Sequence, residues 1–193
     1  MSQELAIAAD LLDPPNRSGR EEALSSAARR LAALYDKSHQ RLYRLGCRMT
    51  GDADTALDLL QETFLRAAGR PEAVPGEESA AEAWLVRVLV NLCRDQYRKR
   101  EVRTRAADRI PRPAPAPDPE RSAVARDLVK AALAALPPRR RAVIALCELD
   151  ELPVREVARL LGLAEVTVRW HQVVGRREMA ARLAPSSQEG RLP

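Results

Sequence analysis

Residues 111–119 read PRPAPAPDP, and these five prolines in nine positions constrain the fold more than any other feature of the sequence. Proline fixes its own φ, lacks an amide hydrogen and pushes the residue before it out of the helical region, so no helix or central strand can run through such a segment. The run predicts an extended, semi-rigid linker. About 110 residues precede it and about 75 follow, each part with its own periodic apolar pattern. The hydrophobic fraction, 46%, is carried by Ala, Leu and Val, aromatics are only 3%, and strong helix formers dominate nearly every segment. The expected fold is therefore all-α: two small helical domains joined by a proline-rich linker.

The ends of the chain lack periodicity, with Pro14, Pro15 and Gly19 near the start. The expected division is a flexible extension over 1–24, a first domain over 25–110, the linker over 111–119, a second domain over 120–184 and a flexible tail over 185–193. There is no internal repeat. In the first domain Leu31, Leu34, Leu42, Leu45 and Met49 recur at helical spacing up to Thr50, where Gly51 can cap one helix and Asp52 can start the next. The second helix is expected to bury Leu57, Leu60 and Phe64 and to stop near Gly69 and Pro71. A third is expected to begin at Ser79, in a capping box with Glu82, and to run through Leu85, Val88 and Leu92 into a basic stretch.

The second domain carries the strongest local motif. Val154 to Leu161 (VREVARLL) reads as a short helix, Gly162-Leu163-Ala164 as a turn, and Glu165 onward (EVTVRWHQVVGRREMAARL) as a longer helix, which is helix-turn-helix spacing. Ala158 supplies the small side chain that steeply crossing helices need, and Gly162 tolerates a positive φ at the turn. Val157, Leu161, Leu163 and Val168 should fill the wedge between the helices. Thr167, Arg169, Trp170 and Arg176 are then left to face outward, a set suited to major-groove edges and phosphates. Trp170 has an equal alternative, packing on the preceding helix over residues 139–149.

Charge bounds the function further. The 193-residue chain has 32 basic and 27 acidic side chains, a formal charge of +5. Residues 52–82 hold eight acidic side chains against Arg66 and Arg70, whereas residues 94–112 hold eight basic ones against Asp95, Glu101 and Asp108. One face should avoid nucleic acid and another should seek it. No stretch approaches the apolar length of a membrane helix and the N-terminus lacks a basic-then-apolar leader, so a cytoplasmic location without membrane insertion is expected. Cys47, Cys93 and Cys147 fit neither a disulfide framework nor a paired zinc site, and are expected as small core residues. Two histidines, eight glycines and carboxylates scattered along an amphipathic helix offer no catalytic constellation, metal site or cofactor loop, so an enzyme is not expected.

The runs DADTALDLLQETFLRA (52–67), AWLVRVLVNLCRDQYRKR (83–100) and LAALPPRRRAVIALCELDELPVREVARLLGLAEVTVR (133–169) together resemble an RNA polymerase sigma factor of the extracytoplasmic-function (ECF) group, over about 150 residues. A lone helix-turn-helix would be weak evidence, but both blocks in this order around a variable linker form a specific signal. The resemblance implies a factor that binds core RNA polymerase, directs it to promoter DNA and assists its opening, with no cofactor. It places polymerase docking on the second helix, at Asp58, Gln61, Glu62 and Leu65, which would explain the acidic charge. It places minus-10 recognition on the third, where Arg87, Asn91, Arg94 and Arg98 form one helical stripe, supported by Tyr97, Lys99 and Arg100. Melting requires an aromatic or pocket to capture unpaired bases; Trp84 sits near the core stripe, and Tyr97 is open to either role.

Minus-35 recognition would fall to Thr167, Arg169, Trp170 and His171, with Arg155 and Arg176 on flanking phosphates. Here the chain departs from the commonest family pattern: Val166-Thr167-Val168-Arg169-Trp170-His171 stands where the family has Gly-Thr-Val-Lys-Ser-Arg, so base preference does not transfer. The family also implies an anti-sigma protein as a partner. The competing reading is a polymerase-independent helix-turn-helix regulator that binds its operator as a dimer; the acidic second and basic third helices count against it.

Overall fold

The computed structural model describes residues 17–107 and 121–184, all of it helix, turn or loop without a strand. The linker expected at 111–119 and the tail at 185–193 lie outside the described residues. Helix α1 (Arg17–Thr50) is followed by α2 (Ala53–Gly69), a 3-10 turn (Pro71–Ala73) and α3 (Glu78–Ala107). The second part contains α4 (Arg121–Ala134), α5 (Pro138–Ile144) with its π-helical continuation (Ala145–Leu149), α6 (Val154–Leu161) and α7 (Glu165–Leu183). Helix α1 begins inside the stretch expected to be a flexible extension.

The boundary between α1 and α2 has a direct chemical cause. Gly51 takes a φ of 74°, which turns the chain after Thr50. The Asp52 carboxylate then accepts from the Thr55 amide at 2.9 Å, satisfying a donor left free at the start of α2. These bonds from Thr55 hold the Asp52 carboxyl below its ordinary range. The start of α3 is capped differently from the sequence expectation. Glu77, not Ser79, supplies the cap: its carboxylate accepts from the amides of Ser79 at 2.9 Å and Ala80 at 2.7 Å. Glu82 is drawn away from a capping box by two arginines from other elements, Arg41 and Arg159.

Helices α1, α2 and α3 bury Leu42, Leu45, Met49, Leu60, Phe64, Leu85 and Leu89 between them. Leu57 corrects the expected stripe: it is 45% exposed, while Ala56 takes the inward position. The cause is a close crossing, since Gly46 of α1 lies against Ala56, where even an added Cβ would approach to 3.2 Å. Cys93 and Cys147 are buried and Cys47 half-buried, all as free thiols. Burial pushes the Cys93 thiol up to about 12 and Cys147 to about 11, so both stay protonated and unreactive near neutrality.

The cluster of buried side chains does not stop at the end of the first part. Val143, Leu146, Val157, Leu160 and Val168 belong to the same continuous core as Leu85 and Leu89, and α3 packs directly on α5 and α6. A smaller cluster of Leu133, Leu136 and Ile144 closes the far side of α5. The two parts therefore lie against each other along an apolar seam, each completing the other's core.

Candidate nucleic-acid interface

The helix-turn-helix forms as its sequence dictates. Helix α6 ends at Gly162, whose φ of 64° places it in the left-handed region, and the Leu163 amide reaches back to the Ala158 carbonyl at 2.9 Å. Val157, Leu160 and Val168 fill the wedge completely, with Leu161 and Leu163 half-buried at its edge. Helix α7 crosses α5 so closely at Gly175 that a Cβ there would meet the Ile144 side chain at 2.6 Å. Two ion pairs fix the crossing: Arg140 binds Glu178, and Arg176 binds Glu148 at 2.9 Å. Gln172 donates to the same Glu148 at 2.8 Å. Burial alone would raise the Glu148 carboxyl, but these two donors outweigh it and hold it below the ordinary range.

With α7 anchored in this way, its N-terminal half faces outward. Arg169 is exposed, with a single ion pair to Glu165 one turn back at 3.0 Å. Trp170 is 55% exposed, and the Arg140 guanidinium lies 5.4 Å from its ring centre. The ring thus leans on α5, as the packing alternative expects, and still leaves a face exposed. Thr167 and His171 are half-buried, and His171 meets Trp170 edge-on with ring centres 4.8 Å apart. Burial, then the charges of Arg140 and Arg139, lower the His171 pKa below its ordinary value, so the ring is neutral at pH 7. Arg155 is exposed in the first turn of α6. Val166 and Val173 are exposed on the same helix as Arg169 and were not singled out from the sequence. Apolar side chains flanking an arginine are suited to thymine methyl groups.

On α3, Asn91, Arg94, Arg98, Lys99 and Arg100 are exposed and Arg87 is half-buried. Arg94 lies 4.0 Å from Asp95, a loose exposed pair. Arg100 reaches the Thr55 hydroxyl at 3.3 Å, on the cap of α2. Tyr97 is half-buried, its ring centre 5.6 Å from the guanidinium of Arg141. Trp84 is half-buried and packs against the core. Arg87, Asn91 and Arg94 line a cavity of about 210 Å³ whose opposite wall is Arg139, Leu161 and Leu163 of the second part. Among the described residues no group of His, Cys, Asp and Glu could hold a metal ion, and no helix is long and apolar enough to cross a membrane.

The acidic side chains lie on a separate surface. Asp58, Gln61 and Leu65 are exposed on α2, Leu65 by 65%, and Glu62 is half-buried in a pair with Arg66 at 2.8 Å. Exposed Leu57 extends this face, since Leu57, Gln61 and Leu65 recur every four residues. The periodicity that marked Leu57 as core also fits an apolar stripe left for a partner.

This architecture, a three-helix unit with one acidic and one basic face followed by a helix-turn-helix unit, is that of a two-region sigma-type protein. Residues 34–103 match the family model of sigma-70 region 2, and residues 126–171 match that of sigma-70 region 4. The chain is 37% identical over 158 residues to the ECF RNA polymerase sigma factor SigE of Mycolicibacterium smegmatis, covering 77% of this chain and 60% of that one. It is 36% identical over 150 residues to the ECF RNA polymerase sigma factor SigL of Mycobacterium tuberculosis, covering 76% of this chain and 85% of the relative. In fold it is similar to the sigma factor RpoE of Bartonella quintana, solved with the anti-sigma factor NepR, with a TM-score of 0.60 at 22% identity over 79% of this chain and 95% of that one. CnrH, solved with the cytosolic domain of CnrY, aligns with a TM-score of 0.58 at 22% identity over 86% and 96%. The chain belongs to the ECF RNA polymerase sigma factor family.

Proposed function

We propose that this chain docks on core RNA polymerase, aims it at two-part promoters and assists opening of the DNA. The observation that carries the reading is the order of surfaces along one chain. An acidic helix face with exposed leucines precedes a basic stripe on α3, and a helix-turn-helix whose second helix presents Arg169 and Trp170 follows. Asp58, Gln61, Glu62 and Leu65 form the docking face, where carboxylates steer toward a basic partner and apolar side chains supply burial. Arg87, Asn91, Arg94, Arg98, Lys99 and Arg100 track the minus-10 strand. Tyr97, half-buried with its ring centre 5.6 Å from the Arg141 guanidinium, is the aromatic offered to a flipped base. Arg169, Trp170, Thr167 and His171 read the minus-35 duplex, and Arg155 and Arg176 hold its phosphates. The domains carrying these tasks are 25–110 and 120–184, separated by the proline-rich linker.

This reading assigns the chain no covalent chemistry and places it in the cytoplasm, with its polymerase. It also assigns it an anti-sigma partner, by analogy with the RpoE–NepR complex. The test is co-elution of the purified chain with sigma-free bacterial core polymerase at moderate salt. A one-to-one complex that starts transcription at a reproducible promoter class is the expected result. Tight operator binding with no polymerase complex would replace the reading with a polymerase-independent regulator.

A further inference from the structure

Helix α7 turns an unusual set of side chains away from the protein. Val168 and Gly175 face inward and are buried, which leaves Val166, Arg169, Trp170 and Val173 on one outward stripe. Val166 is 71% exposed, Trp170 55% and Val173 51%. Local preference does not account for the valines, because a β-branched side chain on an exposed helix face loses rotamer freedom and gains no burial. Val166 and Trp170 are also two of the positions where this chain departs from the commonest family pattern, so what they contact is particular to it.

The stripe has an apolar centre and basic surroundings. Trp170 is held between the Arg140 guanidinium, 5.4 Å from its ring centre, and the His171 ring, which meets it edge-on. Arg169 stands beside it in the stripe, and Arg176 and Arg177 follow as exposed side chains of the same helix. Glu165, at the start of the helix, is already paired with Arg169 at 3.0 Å. Such an excess of guanidinium groups around the stripe favours a polyanion over a protein surface.

In a duplex major groove an apolar side chain has one specific partner, the 5-methyl group of thymine, which is the one methyl that the base pairs present there. We infer that α7 reads part of its duplex by thymine methyl groups, met by Val166 and Val173 with the Trp170 ring as the wall between them. This rests on the assignment of α7 to the minus-35 duplex. Arg169, between the valines in sequence, has only to leave its exposed pair with Glu165 to take a guanine edge. The two valines are seven residues apart, about 10 Å along the helix axis at about 1.5 Å per residue, so the thymines they meet lie within about three base-pair steps of each other. The element implied is a guanine accompanied by thymines, on either strand, within that span.

Deoxyuridine tests this without touching the protein, because uracil keeps every hydrogen-bonding group of thymine and lacks only the methyl. The full chain with core polymerase, or alone should no complex form, is used to enrich duplexes from a pool randomised over the minus-35 region. The enriched duplex is then remade with deoxyuridine at each thymine in turn. At two positions wild type should bind about four-fold less tightly for the methyl removed, the loss expected for one apolar group of CH2 size. Val166→Ala should erase the preference for thymine over uracil at one of these positions and Val173→Ala at the other, with the guanine preference kept. Both valines are exposed, so neither change opens the core. Equal binding of thymine and uracil duplexes by wild type would overturn the inference, as would a thymine preference that survives in both variants. Failure of the functional reading looks different: no complex with core polymerase forms, while the methyl dependence of the free chain is still read on the same duplexes. A pool from which neither form enriches any sequence would overturn both.

Discussion

Gly175 shows how one residue can reverse an intrinsic preference. A glycine inside a helix is disfavoured relative to alanine by about 1 kcal/mol, so Gly175→Ala would stabilise α7 in isolation. Here the added Cβ would meet Ile144 at 2.6 Å in a filled core, and overpacking of that kind costs about 1–3 kcal/mol. The clash outweighs the helical gain, and urea denaturation should find the variant less stable than wild type. Arg169 lies at the opposite extreme, exposed and held only by the pair with Glu165. Such pairs contribute about 0.3–0.5 kcal/mol, too little to keep the guanidinium from a base edge. Arg169→Ala should lower discrimination at one minus-35 position by about 1–3 kcal/mol, seen in transcription from a panel of single-base promoter variants. A uniform loss over the panel would make it a phosphate contact. At this scale the sequence was legible where backbone chemistry decides, at Gly51, Asp52 and Gly162. It was not legible at Ser79, because Glu82 is claimed by Arg41 and Arg159, which no local pattern reveals.

Helix α2 shows why an element's inward face and its partner-facing stripe are hard to separate by periodicity. Leu57, Leu60, Phe64 and Leu65 all fit a helical repeat, yet Leu60 and Phe64 are buried while Leu57 and Leu65 are exposed. What assigns them is the close passage of α1 at Gly46 and Ala56, a tertiary fact. The exposed pair lies beside Asp58, Gln61 and Glu62, and that mixture of carboxylate and leucine suits a protein partner better than solvent alone. Reversing charge in Asp58→Lys together with Glu62→Lys removes one exposed pair, Glu62 with Arg66. The helix should keep its fold, since burying side chains such as Leu60 and Phe64 contributes about 1.5–3 kcal/mol each, several times the value of that pair. The affinity for core polymerase should fall, and its dependence on salt should weaken, in a titration followed at two ionic strengths. Unchanged core affinity in the folded double variant would move the docking face elsewhere.

For the whole molecule, the two parts, the helices and the helix-turn-helix were all legible, because each rests on a local repeat or a punctuating residue. Their packing against each other was not. Periodicity states that Leu85, Leu89, Val157 and Leu160 need cover, but not that they cover one another across the proline-rich segment. Two separate cores and one shared core are the same pattern in sequence, and they differ in cooperativity. Independent cores melt independently, whereas a continuous cluster ties the two melts together. The chain carries its own probes for this, since it has two tryptophans, Trp84 on α3 and Trp170 on α7, one in each part. Trp84 packs against the core and Trp170 lies beside Arg140, so each should change emission when its own part unfolds. In Trp170→Phe and Trp84→Phe, each retaining one tryptophan, urea transitions should share one midpoint, because neither part can lose its side of the seam without exposing the other. Midpoints apart in the two variants would show that the seam contributes little, and that each part is stable on its own core.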